Sequence, residues 1–307
     1  MDTAKRNRKS KPEPKASSRR PTPKIAESRQ PLTAPDLVAA KGKRRLVMIT
    51  AFDEPSARTA DAAGVDVVLV GDSLAMAVLG RPDTLSVTLA EMIHHTRAAA
   101  VSVKRALLVA DMPFGSFQVS VPEAVRNACR LVAEGGAKAV KLEGPRPKEV
   151  AAIAAAGVPV VGHLGLTPQS LHRLGGYRVQ GRQVEQAVAL VEQARALEAA
   201  GAFMIVLEAI PVPLGAAVTR AVKVPTIGIG AGPHCDGQVL VWADVLGLAP
   251  AAPPRFVRRY AALAEEAERA IARFAADVRA QRYPSEQECY ATPSDFARAL
   301  DERLRER

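Results

Sequence analysis

Val67-Val68-Leu69-Val70-Gly71 runs straight into Asp72-Ser73, and this abrupt end of an apolar run on a polar residue recurs along the chain. Leu107-Leu108-Val109-Ala110 stops on Asp111, Ala139-Val140-Lys141-Leu142 on Glu143, and Phe203-Met204-Ile205-Val206-Leu207 on Glu208. Val158-Pro159-Val160-Val161-Gly162 stops on His163. Short β-branched runs bounded by Gly and Pro are the pattern of strands covered on both faces in a parallel sheet. When such a sheet closes into a barrel, the C-terminal ends of its strands converge on one mouth, where catalysis sits. Carboxylates and a histidine gathered there are costly to desolvate unless positive charge joins them. The pattern therefore implies a metal ion and a reaction.

Outward from these runs, strands and helices alternate, the order of a parallel α/β fold. Strands are expected at 46–51, 67–71, 107–110, 139–142, 160–162, 203–207 and 226–229, with an eighth at 243–248. Helices are expected at 36–40, 54–63, 89–103, 122–134, 148–156, 183–200 and 214–221. The fold class is an α/β (β/α)8 TIM barrel over residues 33–282, closed by a long amphipathic helix at 256–281, with a surface or subunit-contact segment at 283–307. The connection 164–182 far exceeds an ordinary βα loop and holds four glycines, the character of a lid or binding loop.

Composition narrows the function. The formal charge of +10 resembles a nucleic-acid signal until it is located: residues 1–30 carry ten Lys or Arg against three acids, so the body is nearly balanced. Residues 1–32 read as a solvated, disordered basic tail, which makes a nucleic-acid partner unlikely for the barrel itself. Cys129, Cys235 and Cys289 stand far apart with no C-x-x-C spacing, which fits a reducing, cytoplasmic setting. No apolar stretch approaches the roughly 18 residues of a membrane span.

Asp72, Asp111 and Glu143 end three consecutive strands, an all-oxygen set suited to a hard divalent cation such as Mg²⁺. Each alone reads equally well as a helix cap or a salt-bridged surface acid. Lys141 lies two residues before Glu143, so strand alternation points both the same way. A lysine there needs an anionic partner, either Glu143 itself or a substrate carboxylate or enolate. Ser73 can hold a carboxylate or cap the next helix. His163 lies between glycines and reads as a ligand contact or a satisfied polar residue. Glu208 stands across the barrel in an apolar setting suited to a general acid or base, or to a neutralised buried acid. Gly228–Gly232 follows strand seven and reads as an anion loop or as packing against a flat group. His94-His95 reads as surface or interface, and Trp242 as packing.

Assembled, the motifs closely resemble the ketopantoate hydroxymethyltransferase family. They are MITAFD at 48–53, LVGDSL at 69–74, ADMPF at 110–114, VKLEG at 140–144 and GHLGLTPQ at 162–169. GGYRVQGR at 175–182, LEAIP at 207–211 and IGIGAG at 227–232 follow in the same order. The resemblance implies a phosphoenolpyruvate/pyruvate-type barrel that moves a hydroxymethyl group from 5,10-methylenetetrahydrofolate to 3-methyl-2-oxobutanoate through a metal-stabilised enolate. It implies 2-dehydropantoate as product, on the route to pantothenate and coenzyme A. It further implies metal binding by Asp72, Asp111 and Glu143, and keto-acid binding by Asp72, Ser73, Asp111, Lys141 and, as a contact, His163. Glu208 is the implied proton acceptor, and a homo-oligomer, commonly a decamer, the implied assembly. Phe52, and Arg81-Pro82, depart from the family's usual residues. The competing readings are another metal-dependent 2-oxo-acid lyase or mutase of that superfamily, and a non-catalytic binding protein.

Overall fold

The structure is a computed structural model that describes residues 30–249 and 253–307. The first 29 residues of the expected tail lie outside the described residues. Eight parallel strands close into a barrel in chain order: β1 Leu46–Thr50, β2 Val67–Val70, β3 Leu107–Asp111, β4 Ala139–Glu143, β5 Val160–Gly165, β6 Ala202–Glu208, β7 Thr226–Ile229 and β8 Gly237–Leu240, with β8 pairing back to β1. Helices α1 Ala34–Ala39, α2 Glu54–Ala62, α3 Leu74–Ala77, α4 Leu89–Ala100, α5 Val121–Ala133 and α6 Pro147–Ala155 occupy the first half. Helices α7 Leu171–Leu174, α8 Val184–Ala199, α9 Val212–Ala221, α10 Trp242–Leu246, α11 Leu263–Arg279 and α12 Phe296–Arg305 complete the described elements.

Strand alternation divides the core in two. Met48, Leu69, Val109, Ala139, Val161, Met204, Val206, Ile227 and Val239 fill the barrel interior. Leu37 of α1 belongs to the same cluster, and α1 is held by a Thr33–Asp36 capping box, which satisfies its first amides. The alternate strand residues, among them Val68, Val70, Leu108, Val140, Leu142 and Ile205, pack outward against the helices. This is the doubly buried pattern that makes parallel strands read as continuous apolar runs.

The eighth strand lies earlier than expected. Residues 242–246 form α10, stopped by Gly247 in the left-handed conformation (φ 68°), and β8 is Gly237–Leu240. A strand holding Gly and Gln does not stand out by composition. Gly237 is nonetheless required there, because a Cβ would strike the Leu46 carbonyl of β1. The helix expected to close the barrel runs over 263–279 and has no buried residue, and α12 has none either. Their apolar residues Ile271, Phe274, Val278, Phe296, Leu300 and Leu304 are exposed.

β5 runs three residues further than expected, to Gly165, so His163 lies inside the strand. Gly165 (φ 90°) is aligned with Glu208 of β6, and a Cβ there would collide with the Glu208 carbonyl. Gly165→Ala should lower stability by about 2–4 kcal/mol and depress turnover, because it pushes the β6 end outward. A parental denaturation midpoint would show that the backbone absorbs the methyl group.

Candidate active site

The inward alternation that fills the barrel continues upward into polar side chains. Above Val109 comes Asp111, above Ala139 come Lys141 and Glu143, above Val161 comes His163, and above Val206 comes Glu208. Strand register then pairs them, since Asp111 is aligned with Lys141 and Glu143 with His163. Lys141 Nζ lies 2.8 Å from Asp111 Oδ1, in ion-pair rather than hydrogen-bond geometry, so that oxygen keeps an unmet capacity. His163 stands 3.6 Å from Glu143 Oε1 through Nδ1 and 3.2 Å from Glu208 Oε2 through Nε2, with Lys141 Nζ 3.4 Å from Nδ1.

Asp72 arrives by another route. Alternation from Leu69 would place Gly71 inward and Asp72 outward, but β2 ends at Val70 and the chain turns at Gly71. A Cβ at Gly71 would meet Ser73 Oγ at 2.9 Å and Asp111 Oδ2 at 3.5 Å, so glycine admits both groups. The Asp72 amide then donates to Asp111 Oδ2 at 3.0 Å. Ser73 is the N-cap of α3 without a side-chain capping bond, so its hydroxyl is not committed to the helix.

These residues line a cavity of about 350 Å³ at the C-terminal end of the barrel, together with Thr50, Tyr177 and Phe256. The structure therefore brings Asp72, Ser73, Asp111, Lys141, Glu143, His163 and Glu208 to one mouth. Glu208 is the more open acid, its side chain 17% exposed against 4% for Glu143 and Asp111. Ala209, the next residue, has φ 46°, a strained conformation for alanine. Its amide donates to the Ile229 carbonyl at 2.9 Å and its carbonyl accepts from the Gln180 amide at 2.9 Å, which pins the chain just after Glu208.

Gln169 is the site residue that sequence reasoning passed over. It ends the GHLGLTPQ run, and its side chain donates to Asp72 Oδ2 at 2.8 Å and to the Met112 carbonyl at 2.9 Å. Its backbone amide donates to Glu143 Oε2 at 2.9 Å, and its side-chain oxygen accepts from Gln118 at 2.9 Å. One buried amide thus ties the ends of β2, β3 and β4 to the loop after β5. The available signal was a long polar-bearing motif on a loop, which reads as function more readily than a core motif does.

Charge in the mouth is out of balance. Burial, then Asp111 and Glu143, push the Asp72 carboxyl well above its ordinary range, against the pull of Lys141 and Gln169. Burial also raises Asp111, although Lys141 opposes it. For Lys141, burial favours the neutral amine, but Asp111, Glu143 and Asp72 outweigh it and hold the ammonium. Burial and Lys141 likewise oppose a charged His163, yet the adjacent carboxylates of Glu143 and Glu208 prevail and lift it to about 9.

Among the described residues no three His, Cys, Asp or Glu side chains are grouped so as to enclose a metal ion by themselves. Glu143 faces Gln169 and His163 with its two oxygens, and Asp111 faces Lys141 and the Asp72 amide with its own. The capacity left for a cation is greatest at Asp111 Oδ1, which has no hydrogen-bond partner, and at the second oxygen of Asp72. Such a set fits Mg²⁺, which keeps several waters and takes one or two carboxylates plus substrate oxygens. The surplus of negative charge and the unsatisfied Asp111 Oδ1 agree with a cation there.

Other expectations are refined. Gly230 faces the ring of Phe256, which a Cβ would approach to 2.7 Å, so the glycine run packs against an aromatic side chain of this chain. The Phe52 side chain lies in the outer core between sheet and helices and does not line the mouth. His95 Nδ1 contacts the Phe52 carbonyl at 2.6 Å, while His94 is exposed. Arg81 is bound by Glu91 and by the Ser86 carbonyl, a strut of the loop after β2.

Gln169→Leu strips the donors from Asp72 and Met112 and should cost about 2–3 kcal/mol of stability together with most of the turnover. An unchanged denaturation midpoint would show that the amide holds nothing in place. His163 is raised from about 6.5 in the unfolded chain to about 9 in the fold, so its contribution is complete below about pH 6.5 and fades through about pH 9. In protein stripped of divalent cations, the melting-temperature gap between parent and His163→Gln should therefore narrow from about pH 6 to about pH 10. A gap that widens would mean that the imidazole is neutral.

Comparison with known proteins bears on this geometry. The family model described as ketopantoate hydroxymethyltransferase matches residues 31–286. A 3-methyl-2-oxobutanoate hydroxymethyltransferase of Nitratidesulfovibrio vulgaris (strain DP4) is 50% identical over 288 residues, 92% of this chain and 94% of that protein. A protein of the same name from Pelobacter propionicus is 52% identical over 269 residues, 87% of this chain and the whole of that one. Among solved structures, a phosphonopyruvate hydrolase complexed with oxalate and Mg²⁺ superposes with a TM-score of 0.54 at 17% identity, covering 89% of this chain and 97% of that one. A phosphoenolpyruvate phosphomutase from Streptomyces platensis subsp. rosaceus gives 0.54 at 16% identity, covering 90% and 98%. Likeness at that level of identity shows the shared barrel fold.

Proposed function

The chain belongs to the ketopantoate hydroxymethyltransferase family, and from that premise we propose how its barrel mouth carries out the reaction. Its function is that of a 3-methyl-2-oxobutanoate hydroxymethyltransferase, an enzyme of pantothenate biosynthesis. The one-carbon donor is 5,10-methylenetetrahydrofolate and the product 2-dehydropantoate, with one water consumed and tetrahydrofolate released.

The observation that carries the mechanism is the placement of Glu208 on β6, across the closed barrel from β2 and β3, which bring Asp72 and Asp111. A keto acid in the mouth sits between them, its two oxygen-bearing carbons toward Asp72, Asp111 and Lys141 and its C3 toward Glu208. Asp72 and Asp111 would hold the divalent cation, with Glu143 behind them orienting Gln169 and His163. Mg²⁺ fits the donor set, and when bound it supplies Lewis-acid withdrawal of charge from the keto acid.

Lys141 is held as an ammonium by the surrounding carboxylates, so it presents a fixed positive charge to the oxygen on which negative charge develops. That charge is already oriented before reaction, so little reorganisation opposes the step. Ser73 offers its hydroxyl and its backbone N–H to the substrate carboxylate. Glu208 takes the C3 proton, with His163 Nε2 3.2 Å from its Oε2 positioning the carboxylate. Water takes the place of the donor's two carbon–nitrogen bonds, which releases the one-carbon unit at the formaldehyde level and leaves tetrahydrofolate with both nitrogens protonated. C3 then adds to that carbon, and the new alkoxide takes back the proton held by Glu208.

The assembly proposed is a homo-oligomer, supported by the uncovered apolar residues of α11 and α12. Among the described residues no helix is long and apolar enough to cross a membrane, and a cytoplasmic setting is proposed with the cysteine reading. The lyase, mutase and scaffold alternatives have no observation in their favour beyond the fold.

With Mg²⁺ and 3-methyl-2-oxobutanoate, the protein should exchange the C3 proton with solvent, and addition of methylenetetrahydrofolate should yield dehydropantoate. Asp111→Ala should abolish both activities. Glu208→Gln should cut exchange by about 10²-fold or more while the Kd of the keto acid moves little. Exchange at the parental rate in Glu208→Gln would remove this residue from the proton step.

A further inference from the structure

A second cavity on the catalytic face, about 760 Å³ in volume, is larger than the mouth, and the keto-acid half of the reaction does not use it. Its walls come mainly from the loops after three adjacent strands: Phe114 and Gln118 after β3, Arg146 after β4, and Gln169 and Arg173 after β5. Glu143 lines both cavities, and Gln169, bonded to Asp72, stands in the wall between them. A ligand seated here is therefore next to the reacting centre.

The lining has a definite chemical character. Arg146 meets Glu149 only at 3.5 Å, and Arg173 meets only the Ser170 hydroxyl, also at 3.5 Å. Among the described residues Arg173 has no carboxylate partner. The acid of this wall, Glu143, directs its oxygens to the Gln169 amide and to His163. Two weakly engaged guanidinium groups thus face the same space as Phe114, an aromatic ring 49% exposed. Guanidinium forks match carboxylates in bidentate geometry, and an exposed ring offers a face for a planar group. The combination selects an elongated ligand with a flat ring system and an anionic tail.

Volume points the same way. Pockets for drug-sized ligands span about 300–1,000 Å³, so the side cavity, at about 760 Å³, suits a long carrier, while the mouth, at about 350 Å³, lies near the lower end and suits the short keto acid. We infer that the side cavity seats the pterin-type one-carbon donor, its tail carboxylates on Arg146 and Arg173 and its stem against Phe114. The donor's reactive end then reaches the mouth over the rim formed by Pro168 and Gln169, where the linings of the two cavities adjoin. This rests on the hydroxymethyl transfer proposed above and goes beyond it by giving the donor its own subsite on the rim of β3 to β5.

The test compares parent, Arg146→Gln, Arg173→Gln and the double variant, all loaded with Mg²⁺. Steady-state KM is measured for methylenetetrahydrofolate and, separately, for the keto acid. Each lost charge-assisted contact weakens the tail, so the double variant should raise the donor's KM about tenfold or more. The keto acid's KM should stay within about twofold, and Arg173→Lys should recover part of the loss, since it keeps charge without the fork. A donor KM within about twofold of the parent in the double variant overturns the inference, as does an equal rise in both KM values. Exchange of the keto acid's C3 proton needs no donor, so its absence in the unmodified protein would strike the proposed reaction instead. An intact exchange with an unmoved donor KM strikes this inference alone.

Discussion

The ion pair between Lys141 and Asp111 is the constraint around which the barrel mouth is arranged. Among the described residues Lys141 is the one lysine or arginine that is buried, and it sits against three buried carboxylates. Breaking such a pair leaves an uncompensated charge and typically costs about 3–5 kcal/mol. The surrounding groups must therefore keep both partners in place. The β3–β4 register aligns the two residues, Asp72 donates its amide to the far oxygen of Asp111, and Gln169 holds Asp72. Lys141 and His163 stand among four carboxyl groups, Asp72, Asp111, Glu143 and Glu208, so acids still outnumber bases and the mouth is receptive to a metal ion, which would in turn favour an anionic substrate.

The same geometry separates two kinds of work around the rim. In the proposed reaction, the carboxylates and fixed ammonium on the β2–β4 side manage the charge of the keto acid. The proposed proton step belongs to the β5–β6 side, where His163 and Glu208 are positioned by a strained Ala209 and by Gly165, whose missing side chain lets the strand ends approach. Strain just after the proposed base is affordable because hydrogen bonds on both sides of Ala209 hold it. The loop after β5 serves both halves, with Gln169 and Pro168 near the mouth and Arg173 facing the neighbouring cavity.

Much of this was legible in the chain. A period of two, carried past the apolar core, sets Asp111, Lys141, Glu143, His163 and Glu208 on the inner face, and Gly-bounded β-branched runs mark seven of the eight strands. The eighth was misplaced because Gly237 and Gln238 carry no strand propensity, and the pairing with β1 alone makes them a strand. The long helix at 263–279 was legible as amphipathic, but amphipathicity does not say what an apolar stripe covers, and this chain leaves it uncovered. Gln169 escaped because an amide has no charge to account for. Its importance lies entirely in which groups it reaches.

By itself the sequence determined the barrel class, the inward acids and the lysine among them, since alternation and strand order are local properties of the chain. Its motifs carried the family. Only the tertiary structure decided that Asp72 turns inward against its strand phase, that Glu143 is engaged by Gln169 and His163, and that a basic cavity adjoins the mouth. Those outcomes depend on contacts between residues tens of positions apart, such as Gln169 with Asp72 and the Asp72 amide with Asp111. Burial adds the remaining part, because the charge state of a carboxyl or an imidazole follows from the groups packed around it rather than from its own place in the chain.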